Sequence, residues 1–575
     1  MNDRHTSPPR LAYAMPISRE REAPADRARD NQPGDAIMQS DSGKTVSVWM
    51  DTTKMPTFAA LEEDLSCDVC IVGAGIVGLT AAFHLVRAGA DVVILDDGPV
   101  CGGETSRTTA HLTAVLDDRF QWLEQVHGEK RVRESTSSHM AAINRIEAIV
   151  REENIDCDFE RVPAYLLLGK SDSPDFLDRE LEAAKRAGLT DGRKLPRVPD
   201  LPWDSGPCLE FPRQAQFHPL KYLSAVTRAI VKGKARIFTG THVDSIEGKP
   251  RRPQVKTRTK NVVTANSVIV ATNSPISDYV VTHLKMAPYR TYVIGARIAK
   301  DSVPRALVWD TDDPYIYVRT TPLDDASDVL IVGGEDHKTG QKDDADDRFR
   351  RLEQWTLRRY PTVETIAYRW SGQVMEPADG FAMIGPNPDG AENVYLATAD
   401  SGQGMTHGTI AGILLADLVQ GKENPWAELY DPSRKSLRAI KDIVRENLNV
   451  AVQYADWITP GESSFDDIPL GEGRLVRMGT HKVAAYRDEK GLLHLRDATC
   501  THLRCIVDWN SAEKSWDCPC HGSRFDAEGR VLNGPALADL APVTAEVADR
   551  AGRRVHAADI KEKQGQQSPE DRYDR

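Results

Sequence analysis

Cys67-Asp-Val-Cys70-Ile-Val-Gly73-Ala-Gly75-Ile-Val-Gly78-Leu-Thr-Ala-Ala-Phe-His-Leu85 reads as strand, tight turn and helix. Gly73 permits the turn, Gly75 lets a pyrophosphate approach the backbone, and Gly78 lets the helix pack on the strand. The phosphates then meet the outward-pointing N–H groups of a helix N-terminus. A second strand, Asp91–Leu95, ends at Asp96, which stands where an acidic ribose ligand is expected. Three glycines alone say little, but both flanks and the acidic residue fit dinucleotide binding. Cys67 and Cys70 also spell C-x-x-C. Positions three apart on a strand point to opposite faces, so they are read as small buried strand residues.

The other chemically dense stretch lies near the end of the chain. Cys500-Thr-His502-Leu-Arg504-Cys505 is followed by Cys518-Pro-Cys520-His521-Gly-Ser523-Arg-Phe525. Two such boxes suit an iron–sulfur cluster whose irons differ, one held by thiolates and one by imidazoles. Zinc takes the same residue types at short spacing. The additional Cys, Gly and Ser in register favour the cluster.

The chain has 575 residues, enough for several domains, and 40% of them are hydrophobic, which allows a full core. Its formal net charge of −13 argues against a nucleic-acid partner, because phosphate binding needs clustered Lys and Arg. The longest apolar run, around Val69–Phe83, is interrupted by glycines, so no transmembrane segment is expected. The first residues lack an apolar core segment, and a cytoplasmic protein is expected. Residues 1–44 are too polar to fold alone and are expected to be disordered, with Met38 a candidate start. An oxidoreductase unit is placed at 45–455, a linker at 456–470, a small β domain at 471–560, and a disordered tail at 561–575.

Several further blocks decide which nucleotide is bound. Gly102-Gly-Glu-Thr105-Ser-Arg107-Thr-Thr109-Ala-His111 is a small polar loop just past Asp96. Later come Thr241-His-Val243, Val268-Ile-Val-Ala271, Asp379–Gly385, and Asp400-Ser-Gly402-Gln-Gly404-Met405-Thr406-His407-Gly408. Over roughly residues 65–420 these blocks resemble the D-amino-acid oxidase/glycine oxidase superfamily of FAD-dependent oxidoreductases. The resemblance implies FAD bound by Gly73, Gly75, Gly78, Asp96, Thr105, Arg107, Thr109, Val243, Ala271, Gly402, Gly404, Met405 and Thr406. It puts Tyr317 and Arg319 in the substrate domain, with Arg319 as a clamp for a substrate carboxylate and Tyr317 covering the flavin face or hydrogen-bonding substrate. His111 resembles the position where some dimethylglycine-type dehydrogenases attach FAD covalently; a non-covalent neighbour of the flavin is the other reading.

The second box resembles the Rieske [2Fe–2S] domain. By that resemblance Cys500 and Cys518 hold one iron, His502 and His521 the other, and Cys505 and Cys520 form a disulfide. Ser523 matches a hydroxyl that bonds a cluster sulfide, and Gly534-Pro-Ala536 matches the loop that covers the cluster. Phe525 stands where high-potential members carry Tyr, which implies a lower potential. Arg504 replaces the usual Gly and leaves the local turn in question.

The whole chain looks like bacterial fusions of the two folds. The expected architecture is an α/β FAD-binding Rossmann-like domain with an interleaved α+β substrate domain, plus a small all-β Rieske domain. The expected activity is dehydrogenation of a small substrate at a C–N bond of an amine or amino acid. Hydride goes to FAD, and single electrons go to the cluster and an external acceptor. The alternative is an electron-transfer or redox-sensing protein without an amine substrate. A Rieske oxygenase is set aside, because no two of the 15 His have the five-residue spacing of its mononuclear iron motif.

Overall fold

The computed structural model describes residues 42–248, 252–276, 280–388, 391–435, 464–478 and 481–543. The opening stretch folds as its glycines require, with strand Leu65–Val72 and helix Ile76–Arg87 joined by a turn in which Gly73 has φ +108°. A β-carbon on Gly78 would stand 2.0 Å from the Gly73 carbonyl oxygen, so only glycine lets the helix start against its own turn. Cys67 and Cys70 are buried in this strand.

The strand lies within an eight-stranded sheet, parallel to Val262–Val270 on one side and to Val92–Leu95 on the other. Strands Val394–Thr398 and Arg236–Phe238 extend it in the same sense, and Met383–Pro386 adds an antiparallel edge. Helix Gly404–Val419 packs on helix Ile76–Arg87 at a distance set by small residues. A β-carbon on Gly412 would meet the Thr80 side chain at 2.4 Å.

Between these strands the chain makes excursions into a second, nine-stranded sheet. One excursion supplies Glu160–Leu167 and Cys208–Gln216. Another supplies Met286–Ala299, Leu307–Asp310, Ile316–Pro322, Ser327–Lys338 and Val363–Pro377. Strand Met286–Ala299 is buried along almost its whole length, on both faces. Tyr292, Ile294 and Ile298 pack with Phe349 and Leu352 of helix Ala345–Arg359, while Val293 joins the main core. The expected interleaved α+β substrate domain is this sheet.

The C-terminal part is all β. A three-stranded antiparallel sheet (Glu472–Met478, His481–Arg487, Leu493–Asp497) is followed by a four-stranded one (Asp508–Asn510, Ser515–Asp517, Arg524–Asp526, Val531–Asn533). Among the described residues no helix is long and apolar enough to cross a membrane. Most of the expected N-terminal extension, the first half of the expected linker, and the tail lie outside the described residues. Residues 42–44 do not behave as the composition suggests. Ser42 is fully buried, its hydroxyl donates to Asn533 Oδ1 (3.0 Å), and its carbonyl accepts from Arg524 Nη1 (2.5 Å). Polar partners hold this segment, and apolar composition gives no sign of them.

Ser42 sits at the edge of a buried charge network that joins the two parts. Arg107 Nη1 lies 3.0 Å from Glu513 Oε1, Arg524 Nε lies 3.0 Å from Asp517 Oδ1, and Arg290 Nη2 lies 3.7 Å from Asp517 Oδ2. Arg524 also faces Glu104 at 3.8 Å, and Ser371 accepts from Arg107 through its carbonyl and from Arg290 through its hydroxyl (both 2.8 Å). Burial raises the Glu513 carboxyl, but Arg107, then Arg290 and Arg524, outweigh it and hold the group at about 2. Removing one member leaves an uncompensated buried charge, which costs about 3–5 kcal/mol. Glu513→Gln should therefore lower the urea midpoint by an amount equivalent to about 3 kcal/mol. The Glu513 contribution is complete above its unfolded value of about 4.3 and is lost as pH falls towards the folded value. The gap between wild type and variant should accordingly narrow as pH drops from about 4.5 towards 2; a gap independent of pH in that window would contradict the ion-pair account.

Candidate functional site

A cavity of about 280 Å³ runs from the glycine turn to the second sheet. Its nucleotide end is formed by Gly73, Gly75, Ile76, Asp96 and Thr105, with Thr241, His242 and Val243 beside them. Helix Ile76–Arg87 begins at Gly75 without a side-chain cap. Thr105 Oγ1 accepts from Ile76 N at 3.2 Å, and a β-carbon on Gly75 would crowd that hydroxyl at 2.9 Å. Asp96 accepts from Ala74 N (2.6 Å) and Gly98 N (2.9 Å). Burial, reinforced by Asp97, pushes its carboxyl up to about 7 against the pull of those two bonds. An uncapped helix end, a glycine cradle and a carboxylate just past the second strand fit a dinucleotide.

Of the residues expected to touch the cofactor, Arg107, Thr109, Ala271, Gly402, Gly404 and Met405 also line the cavity. The remainder are placed differently. Gly78 serves helix packing, and Thr406 turns its hydroxyl to the Gln403 carbonyl (3.1 Å). Arg107 reaches the wall, but its guanidinium is spent on Glu513, Ser371 and Thr45. It joins domains; it does not carry a free charge toward a phosphate.

The far end is built by the second sheet. Tyr317 lies across Gly333, where any β-carbon would collide with its ring at 2.2 Å, and its hydroxyl hydrogen-bonds Thr291 Oγ1 at 2.7 Å. His111 meets Tyr317 edge-on at 5.7 Å and hydrogen-bonds Thr109 Oγ1 through Nδ1 (3.1 Å). Burial, with Arg319 adding to it, pulls the His111 pKa down to about 3, so the ring is neutral. His407 also lines the cavity, its Nδ1 bonded to the Asp400 carbonyl (2.7 Å). Arg319 is not a carboxylate clamp. It is 2% exposed, lies outside the cavity wall, and donates through Nη1 to the carbonyls of Thr109 (3.2 Å), Ala110 (2.6 Å) and Phe217 (3.2 Å). Those bonds hold a turn in which Ala110 has φ +59° and which presents His111. Trp309, Tyr315, Asp117, Asp336 and Gln403 complete this end. The sequence carries no local motif for them, because they come from separate strands and loops.

Two loops face each other in the C-terminal domain. Cys500 N donates to Cys505 O and Cys518 N to Ser523 O (both 2.8 Å), which fixes the two turns. Cys505 and Cys520 are joined as a disulfide between the loops, beside Cys518. The rings of His502 and His521 stand 5.2 Å apart, and His521 Nδ1 is buried with no hydrogen-bond partner. Two thiols, two adjacent imidazoles and an unpartnered buried ring nitrogen fit a cluster with mixed ligands. Ser523 Oγ accepts from Ala536 N at 3.0 Å, tying the covering loop to the ligand loop. Arg504 adopts φ +63°, which explains why glycine suits that position.

Residues 68–418 match the FAD dependent oxidoreductase family (DAO), and residues 462–544 match the Rieske [2Fe–2S] domain. The chain is a DAO-family FAD-dependent oxidoreductase with a Rieske domain. It shares 34% identity over 495 residues with the Bacillus subtilis (strain 168) protein YhfW, named as a Rieske 2Fe-2S iron-sulfur protein, spanning 86% of this chain and 96% of that one. It is 28% identical over 394 residues to the gamma-glutamylputrescine oxidoreductase of Escherichia coli K12 (66% of this chain, 88% of that one). Glycine oxidase from Geobacillus kaustophilus shares the fold, with TM-score 0.56 at 18% identity over 64% of this chain and 99% of that one. The cofactors of this oxidoreductase are FAD and a Rieske [2Fe–2S] cluster.

The junction of the two sites lies in one wall. Val531, Leu532, Asn533, Gly534, Ala536 and Leu537 of the Rieske domain line the flavin cavity. Gln373 lines it too, and its Nε2 donates to Gly522 O (3.0 Å), one residue from His521. His242 and Arg258 hold the Leu537 carbonyl at 3.2 and 2.8 Å. Cys500→Ser should abolish the visible cluster absorption while the flavin spectrum persists; an intact iron–sulfur spectrum would remove Cys500 from the ligand set. Phe525 is fully buried in strand Arg524–Asp526. Phe525→Tyr should raise the midpoint potential of the cluster in a spectroscopic redox titration, and an unchanged or lower potential would count against the missing hydrogen bond.

Proposed function

We propose that this protein oxidises the C–N bond of a small amine or amino acid and passes the electrons through its own Rieske domain to an external acceptor. Bound FAD supplies a two-electron acceptor for the substrate hydride, and the cluster supplies a one-electron outlet. The observation that carries this reading is the shared wall: residues 531–537, which follow the second ligand loop, close the cavity that holds the dinucleotide motif. The Gln373–Gly522 hydrogen bond supports the same reading, since it links that cavity to the ligand loop of His521.

The polar groups of the substrate end are positioned from behind. Arg319 holds the Thr109–Ala110 turn, which sets His111 beside Tyr317. The neutral His111 ring and the Tyr317 hydroxyl are the groups proposed to contact substrate, with Arg319 as the residue that positions His111. An electron-relay protein would have no use for a polar, aromatic-walled end to the cavity. Anaerobic mixing with a panel of amines and amino acids tests the reading: the flavin should bleach first and the cluster signal should follow. A flavin that never bleaches would rule out C–N oxidation, and bleaching without cluster reduction would rule out the internal relay.

A further inference from the structure

The substrate end of the cavity carries carboxylates, neutral imidazoles and no unpaired Lys or Arg among the described residues. Asp117 and Asp336 form part of its wall, and Asp400 lies just before helix Gly404–Val419. A β-carbon placed on Gly402 would stand 3.0 Å from Asp117 Oδ2, 3.8 Å from Glu376 Oε1 and 3.9 Å from Tyr315 Oη, so these oxygens converge on one point. Asp118 and Glu376 lie behind them and share only a neutral donor, Ser401 Oγ, at 2.9 and 3.1 Å.

Among the described residues, Arg107 is the only Lys or Arg in the cavity wall, and it is paired with Glu513. The nearest other cations are engaged elsewhere. Arg119 donates to the carbonyls of Asp117 (2.5 Å) and Asp310 (3.1 Å), Arg319 donates to carbonyls of its own, and Arg348 holds Asp344 and the Glu335 carbonyl. Two acceptors in the wall remain unpartnered: Asp336 Oδ1 is buried without a hydrogen bond, and so is Oε1 of Gln403, a residue only 6% exposed. Burial pushes Asp117 up to about 6 and Asp336 to about 7, outweighing the pull of Arg119 on the first and of Thr291 and Arg348 on the second. Trp309, Tyr315 and Tyr317 supply aromatic surface, which attracts ammonium groups and does nothing for carboxylates.

Resting on the amine-oxidising reading, we propose that the substrate is a diamine or polyamine, whose distal ammonium is bound by Asp117 and Asp336 among these rings. A carboxylate-bearing amino acid would meet repulsion at this end, since the Arg expected to clamp it points into the protein. The reaction balances as amine dehydrogenation. The substrate C–H bond breaks with its electron pair going to FAD, the nitrogen loses a proton, and a C=N bond forms.

Three probes of equal length isolate the distal group: 1,4-diaminobutane, butylamine and 4-aminobutanoate. Calorimetry on the dithionite-reduced holoenzyme reads binding without turnover. The diamine should bind at least roughly tenfold more tightly than butylamine, as charge-assisted hydrogen bonds warrant, with 4-aminobutanoate weakest. In Asp117→Asn and Asp336→Asn the ratio of diamine to butylamine affinity should collapse towards one. Equal affinities in the wild type, or a preference untouched by both variants, overturns the proposal. So does flavin bleaching by 4-aminobutanoate or glycine at least as efficient as by the diamine, an outcome that leaves C–N oxidation standing. Selective, Asp-dependent diamine binding without any bleaching supports the acidic site and overturns C–N oxidation instead.

Discussion

Three buried arginines facing two buried carboxylates and a third that is partly buried hold the two redox sites together. Arg107 and Arg290 come from the flavin-binding part, Arg524 from the Rieske domain, and Glu104, Glu513 and Asp517 answer them from both sides. A network of this kind gains little net stability over an apolar interface, because desolvation offsets much of the attraction. Its effect is geometric. A greasy interface tolerates sliding, whereas each of these charges is satisfied in one docked arrangement. The covering loop of the cluster is thereby fixed against the wall of the flavin cavity.

The parts legible in the sequence are those whose chemistry is local. Gly73, Gly75 and Gly78 act within one turn, where spacing speaks directly, and the expected cluster ligands lie within two short loops, where spacing and family resemblance together propose them. Arg107 and Arg319 were harder, because residue type shows a charge and says nothing of its partner. One arginine is consumed by a carboxylate some four hundred positions later, and the other by main-chain carbonyls of a strained turn. Ser42 escaped for the same reason: a polar segment looks unfoldable until Asn533 and Arg524 are brought to it. Asp117 and Asp336 share a wall only because the second sheet folds back on the first loop.

The two ends of the cavity follow one electrostatic logic with opposite tools. At the nucleotide end, negative charge is met by backbone N–H groups and a helix terminus, which need no side-chain cation. At the substrate end, Asp117 and Asp336 face the cavity while the nearest arginines are bonded elsewhere, and the proposed ligand brings the positive charge. The division follows from topology. Parallel strands with helices between them present N–H groups at their ends, while the broad, mostly antiparallel second sheet presents side chains from its face.

A wall drawn from both domains exists only after both have folded. Neither the oxidoreductase part nor the Rieske part encloses the nucleotide alone, since residues 531–537 complete what Gly73, Thr241 and Ala271 begin. Disturbing the charge network therefore reaches both sites at once, because a shift of the Rieske domain moves part of the cavity wall together with the cluster loops.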